Sequence, residues 1–212
     1  MIETIVPDNV AVSTAYGDPP GVRLFPEERH AVRKAVAKRR REFATVRHCA
    51  REALAALGIP PAPIVPGRRG APRWPAGAVG SMTHCAGFRA AAVADAGDVR
   101  SIGIDAEPHE PLPEGVFRMV ARPEEAAMVR QLRDLRPGTC WDRLLFSAKE
   151  SVYKAWFPLT GEWLGFHDGS LAFSLDGRFR ARLLPPDAPL AEFAGRWTAA
   201  PGLLATAIVV PR

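Results

Sequence analysis

The chain has 212 residues, with 28 lysines and arginines against 23 aspartates and glutamates, a formal net charge of +5. At this length a chain buries roughly 70% of its unfolded surface, enough for a packed core in one domain or two intimate halves, and 47% hydrophobic with 24% charged residues is ordinary globular composition. The N-terminal MIETIVPDNV has no basic flank ahead of a long apolar run, so neither a secretion signal nor a membrane span is expected and the cytoplasm is the predicted location.

The predicted elements begin with a helical region from Pro26, which has Glu27 and Glu28 behind it, to Gly58: either one long helix or two abutting ones. Val32, Val36, Phe43, Val46, Ala50, Leu54 and Leu57 share a narrow apolar stripe, and in a continuous helix Arg39 falls inside it. An arginine there is costly to bury without a partner, so either the helix breaks at KRRR or the guanidinium meets an anion. Arg40 and Arg47 lie along the margin of the stripe.

A proline-rich connector (60–75) leads to strands near 79–84, 88–94 and 100–107. The two-residue period of extended chain puts Ile102, Ile104 and Ala106 on one face of the last strand and Gly103, Asp105 and Glu107 on the other, so the two acids point the same way. The segment 112–123 follows, with Leu112, Val116, Phe117, Met119 and Val120 patterned as an amphipathic helix. A helical region from about Pro123 to Leu135 precedes a second helix from Trp141 to Phe157, where Pro158 is a natural stop. On that helix Trp141, Leu144, Leu145, Ala148, Val152, Ala155 and Trp156 share one side, with Arg143, Glu150 and Lys154 opposite. Strands near 170–175, 178–184, 193–199 and 203–210 complete the chain, the first two joined at Asp176–Gly177. The pattern is α+β, with a long helix followed by an antiparallel sheet occurring twice, in 1–108 and again in 109–212.

The chemistry is concentrated in GIDAE (103–107) and FSAKESVYKAW (146–156). Taken singly, Glu150 and Lys154 are an ordinary i,i+4 pair on a solvated helix, and Asp105 and Glu107 the wet side of a half-buried strand. Together, three carboxylates and a lysine can hold a magnesium ion and an anionic substrate. The positive charge favours an anionic partner by long-range steering. Two further classes fit these residues: a magnesium-dependent phosphohydrolase or nuclease with water as nucleophile, and a basic nucleic-acid-binding module, disfavoured by the acidic cluster and the lack of a zinc-finger, RRM or basic-zipper pattern. Cys49, Cys85 and Cys140 are odd in number and without CxxC spacing, which argues against a disulfide framework and a zinc site. A Cys85/His84 nucleophile is disfavoured because strand neighbours point to opposite faces.

The two motifs at this spacing resemble the signature pair of Sfp-type 4'-phosphopantetheinyl transferases. The stretches KRRREFATVRHCAR (38–51), PPAPIVPG (60–67), GSMTHCAGFR (80–89), SIGIDAEPHEPLP (101–113) and KAWFPLTGEWLGF (154–166) extend the likeness over nearly the whole chain, toward the EntD-like, actinobacterial PptT-like branch. The resemblance implies two pseudosymmetric α+β halves with the active site in the cleft between them, one chain sufficing to complete it. The implied reaction is magnesium-dependent transfer of the phosphopantetheine arm of coenzyme A to a serine of an acyl or peptidyl carrier protein. It assigns Asp105, Glu107 and Glu150 to the metal, Glu150 also to the carrier serine as general base, either directly or through a metal-bound water, and Lys154 to the pyrophosphate. Arg39 and Arg47 match positions for the 3'-phosphate end of coenzyme A, Thr83 and His84 the pair near its phosphates, and Lys149 is carried over by motif alone. Ser81, on the face of Thr83, extends a polar strip. His30, His48, His109 and His167 receive no catalytic role. Segment 112–123 matches the carrier-docking region. The likeness departs at Pro66, where mycobacterial members carry lysine and where Arg68 or Arg69 is the nearest replacement charge.

Overall fold

The computed structural model describes all 212 residues, with two antiparallel sheets and five α-helices. Strands β1 (Ala11–Tyr16), β2 (Ala78–Cys85) and β3 (Phe88–Asp95) form a sheet in the order β1-β3-β2; β4 (Val99–Pro108), β5 (Gly169–Phe173), β6 (Arg178–Leu183), β7 (Glu192–Ala200) and β8 (Leu203–Pro211) form the other, in the order β4-β8-β7-β6-β5. Strand β4, the last of the 1–108 stretch, therefore ladders onto β8, with Asp105 opposite Thr206.

Alanine governs the packing of the first sheet. Ala91 and Val93 of β3 face helix α2 (Ala37–Ala56), where Cys49, Ala50, Ala53 and Leu54 bury against them. Ala90, Ala92 and Ala94 face the other way and join Ile102, Ile104 and Ala106 of β4 and Leu203, Ala205 and Ala207 of β8. This is the period-2 alternation of a strand covered on both faces. The opposite face of the larger sheet carries helix α5 (Trp141–Thr160), whose Trp141, Leu144, Leu145, Ala148, Val152, Ala155 and Trp156 enter the largest core with Leu171, Phe179, Phe193, Trp197, Leu204 and Ile208. Helices α1 (Pro26–Ala31), α3 (Val116–Val120) and α4 (Pro123–Leu135) flank these layers.

Between the sheets, β2 and β4 lie side by side without a backbone ladder. The buried hydroxyl of Ser81 accepts the Ile104 N–H at 3.1 Å, and that of Thr83 accepts the Ala106 N–H at 3.1 Å. Two side chains thus satisfy the free edge of β4, where unpaired N–H groups would otherwise be stranded in the interior.

Several expectations change. The helical region starting at Pro26 is two helices, and the break falls at Val32–Val36, ahead of KRRR; Lys38, Arg39, Arg40 and Arg41 then occupy the first turns of α2. Pro158 does not stop α5. Proline removes one N–H, but the helix continues to Thr160 and closes on Gly161, whose φ of 69° suits glycine and whose N–H reaches the Phe157 carbonyl at 2.8 Å. Strand β1 was not anticipated: AVSTAY is half-buried along most of its length and has little apolar contrast. In the polar strip both Ser81 and Thr83 bond to the β4 backbone, and of the two only Ser81 also lines the main cavity. No helix is long and apolar enough to cross a membrane.

Candidate active site

Gly103 sets the geometry of the site. A Cβ at this position would lie 1.9 Å from the Ser151 carbonyl oxygen and 2.8 Å from the Ala155 nitrogen, so only glycine lets α5 lie this close to β4. Buried hydroxyls fix the contact: Ser101 donates to the Ala155 carbonyl at 2.7 Å, and Ser147 and Ser151 lie 3.0 and 2.6 Å from the Thr206 hydroxyl. At this approach Lys154 donates to Asp105 Oδ1 at 2.7 Å and to the Ile104 carbonyl at 3.1 Å. Thr83 donates to the same Asp105 oxygen at 3.1 Å. Glu107, on the same strand face, receives Arg143 at 3.0 Å, and Arg143 also ties down the carbonyls of Glu110 and Pro111.

The acids feel one another. Burial pushes the Glu107 carboxyl above its ordinary value and Asp105 adds to the rise, against the pull of Arg143. Burial likewise raises Glu150; Lys154 pulls it back and Asp105 pushes it up again. Asp105 Oδ2 is buried with no hydrogen-bond partner, the only such side-chain atom in the chain. A carboxylate oxygen in that position calls for a cation. No group of three His, Cys, Asp or Glu donors is drawn together as a finished metal centre; Lys154 holds one oxygen of Asp105 and Arg143 one oxygen of Glu107. The donor chemistry fits a hard divalent ion, with the free Asp105 oxygen at its centre.

Beside these residues opens a cavity of about 610 Å³. Its lining includes Arg39, Arg47 and His84 from α2 and β2, Arg69 from the connector, and Glu150, Tyr153 and Lys154 from α5. Arg39 Nη1 lies 2.5 Å from His84 Nε2. Burial and the neighbouring Arg39 pull the His84 pKa below the usual range, so the ring is neutral and Nε2 accepts from the guanidinium. Arg47 is buried, stacked on Phe43 with its guanidinium carbon 3.2 Å from the ring centre, and donates to the Ile64 carbonyl at 3.0 Å. Burial pulls its pKa down to about 9, which leaves it charged at neutral pH. The first turn of α2 has no acid but carries basic residues, against the positive end of the helix dipole. An anion bound there would relieve that unfavourable pairing.

Four candidates are absent from its lining: Asp105, Glu107, Thr83 and Lys149. Thr83 is buried behind Asp105. Lys149 is buried as well, 2.8 Å from the fully buried Glu125 and donating to the carbonyls of Phe166 and Gly169 at 2.5 and 3.1 Å. Its amine ties α5 to α4 and β5 and lines a smaller cavity of about 110 Å³ with Glu150, Tyr153, Trp163 and Phe166. The Cys85 thiol is pushed up to about 12 by burial and then by Glu107 and Asp105, which removes any thiolate nucleophile.

Sequence reasoning missed Glu42, which lies 3.8 Å from His84 and 3.6 Å from Arg89 and so steadies that wall. It also missed Tyr153, which lines both cavities, and Glu28, fully buried where it accepts from Arg51 and from the Ile64 N–H. For Glu42 and Tyr153 the signal was their presence inside the two motif stretches.

Residues 27–94 match the 4'-phosphopantetheinyl transferase N-terminal domain, and residues 101–208 the 4'-phosphopantetheinyl transferase superfamily. The chain is 55% identical over 219 residues to the 4'-phosphopantetheinyl transferase Svp of Streptomyces mobaraensis, covering 99% of this chain and 89% of that protein. It is 48% identical to the 4'-phosphopantetheinyl transferase PptT of Mycobacterium tuberculosis (99% and 98% covered) and 48% identical to the 4'-phosphopantetheinyl transferase Npt of Nocardia iowensis (98% and 99% covered). With both halves matched and the acid-lysine cluster beside an arginine-lined cavity, this chain belongs to the 4'-phosphopantetheinyl transferase family.

Proposed function

We propose that this protein transfers the 4'-phosphopantetheine arm of coenzyme A to a serine hydroxyl of an acyl or peptidyl carrier protein, at the cavity between α2 and α5. The observation that carries the site assignment is the polarity of the cavity, with Arg39, Arg47 and His84 at one wall and Glu150 and Lys154 at another. That division suits a donor with a 3'-phosphate at one end and a pyrophosphate at the other. The recurrence of a helix and an antiparallel sheet on each side of the cavity supports reading 1–108 and 109–212 as related halves that share it.

In the reaction the serine oxygen bonds to the phosphorus nearest the pantetheine arm, and the bond from that phosphorus to the bridging oxygen breaks. Adenosine 3',5'-bisphosphate leaves with the bridging oxygen, and the serine proton goes to a base. Glu150 is the base this reading favours: it lines the cavity, and its raised pKa gives it more affinity for a proton than an ordinary glutamate has. Lys154 presents a compact positive charge to the phosphoryl oxygens, placed in advance by Asp105. Arg39 and Arg47 hold the nucleotide so that attack is in line. Asp105, Glu107 and Glu150 would hold magnesium, which when bound counters pyrophosphate charge.

The test is the mass of an apo-carrier protein incubated with this protein, coenzyme A and magnesium. A gain of about 340 Da, the mass of the added arm, is expected. An unchanged carrier would overturn the reading; free phosphopantetheine released in its place would mark a hydrolase.

A further inference from the structure

One row of residues across the larger sheet changes character halfway. Ile104 of β4 stands opposite Ala207 of β8, Ala207 opposite Arg196 of β7, and Arg196 opposite Arg178 of β6. Ile104 and Ala207 are buried under the alanines of the smaller sheet. Beyond them the face is open. On β6 and β7 its residues Arg178, Arg180, Arg182, Glu192, Ala194 and Arg196 are all exposed, while Phe179, Ala181, Phe193 and Trp197 between them pack on the α5 side. A solvated sheet face calls for polar residues, but not for four arginines against a single glutamate.

Little within the chain neutralises this charge. Arg180 pairs with Glu192 at 2.5 Å and Arg178 with Asp176 of the hairpin turn at 3.5 Å, both exposed pairs of the kind that contribute little. Arg182 and Arg196 have neither a hydrogen bond nor an ion pair. Arg178 directly opposite Arg196 works against the ladder, because like charges at paired positions repel. Any neutral polar residue there would keep the face wet without that cost.

The chemistry of the face narrows its ligand. It offers no aromatic ring on which a base could stack, and the flat side of a sheet cannot enter a nucleic-acid groove as a helix or ribbon does. Arg180 is flanked by Ala172 on β5 and Ala194 on β7, which leave level ground beside its guanidinium. Alternate residues of a strand stand roughly 7 Å apart, so an extended chain with an acid at every second position matches the row Arg178, Arg180, Arg182 in spacing. Each planar guanidinium can receive a carboxylate through two parallel N–H groups.

We infer that the open face of β6 and β7 is a docking surface for an acidic polypeptide segment of a protein partner, whose carboxylates pair with Arg178, Arg180, Arg182 and Arg196. The face points away from α5, which carries Glu150 and Lys154, so docking there is separate from the donor chemistry.

The test is fluorescence anisotropy of a labelled Glu-Thr repeat peptide titrated with the full chain at low salt, beside a single-stranded oligonucleotide of equal charge. The double variant Arg178→Gln, Arg196→Gln is expected to bind the peptide about ten-fold more weakly, as befits lost charge-assisted contacts. Its thermal midpoint should match or exceed wild type, since the opposed like charges are gone, and its KM for coenzyme A should be unchanged. A control variant, Arg29→Gln, Arg33→Gln, removes the same charge from exposed positions in and just after α1 and should bind like wild type. Equal losses in the two variants would reduce the effect to net charge and overturn the inference. No binding by wild type, or unchanged affinity in Arg178→Gln, Arg196→Gln, overturns it as well. Tighter binding of the oligonucleotide than of the peptide would make this a nucleic-acid surface instead.

Discussion

Lys154 Nζ stands 2.7 Å from Asp105 Oδ1, a contact between residues 49 apart in the chain that joins the two motifs. The contact exists because α5 rests directly on β4, and it leaves the second Asp105 oxygen buried and unpaired. The same aspartate that orients the lysine thus has one oxygen to spare, the one the proposed mechanism gives to a cation, and the two motifs meet through it.

Asp105→Asn removes the charge at nearly constant volume, and Glu150→Gln does the same on α5. Each is expected to lower the initial rate of carrier modification by about 10²–10³, the usual scale for losing one preorganised electrostatic group. Lys154 is partly exposed and can turn to water when its partner is neutralised, so the circular dichroism of Asp105→Asn should match wild type. A rate within ten-fold of wild type in either variant would remove that residue from the reacting centre.

Gly103→Ala tests the approach of α5 to β4. The added methyl would meet the Ser151 carbonyl at 1.9 Å, backbone that cannot step aside without moving the helix. Overpacking of this kind costs about 1–3 kcal/mol. The thermal midpoint should fall by roughly 2–4 °C for each kcal/mol in a chain of this size. Activity should fall further than stability, since the displaced helix carries both Glu150 and Lys154. A midpoint equal to wild type would show the contact to be looser than the structure has it.

How much of this was legible in the sequence depends on the range of the interaction. The strand faces of GIDAE, the apolar side of α5 and the β5–β6 hairpin follow from period and turn chemistry; β4, β5 and β6 lie within two residues of their expected bounds, whereas α5 runs three residues past Phe157. The break at Val32–Val36 was located only to the neighbourhood of KRRR, because the apolar stripe runs through it unchanged. Long-range polar pairs were invisible. Nothing local signals that Lys149 will meet Glu125 or that Thr83 will cap the edge of β4, since both depend on elements brought together by the tertiary fold. Lys149 is the instructive case: its motif neighbours Glu150 and Lys154 line the main cavity, while its own position on the helix turns it into the core.

The pH dependence should carry the signature of Glu150. Its raised pKa places the acid limb of kcat/KM above the ordinary glutamate value of 4.5, with the rate lost as pH falls and the carboxylate is protonated. For stability the sign is opposite. A carboxyl whose folded pKa exceeds its unfolded one contributes fully below the unfolded value and loses that contribution as pH rises through the folded value. Urea unfolding of wild type and Glu150→Gln across this window should show the variant gaining relative to wild type as pH increases. A difference that stays flat with pH would mean that Glu150 is no harder to ionise in the folded protein than in the unfolded chain.

Met119 offers a test on the carrier side of the reaction. Helix α3 turns Phe117 partly into the core, while Met119 remains 66% exposed, one of the few large apolar side chains left in solvent. A flexible thioether side chain on a short helix following the metal-motif strand suits contact with an apolar patch on a partner. Phe117→Ala would disturb packing as well as docking, so Met119→Ala is the cleaner change. It is expected to raise KM for the carrier protein by about 3- to 10-fold, the effect of one moderate interface contact, with KM for coenzyme A and the thermal midpoint unchanged. Equal increases in both KM values would place the effect in the cavity; no increase in either would leave α3 outside the docking surface.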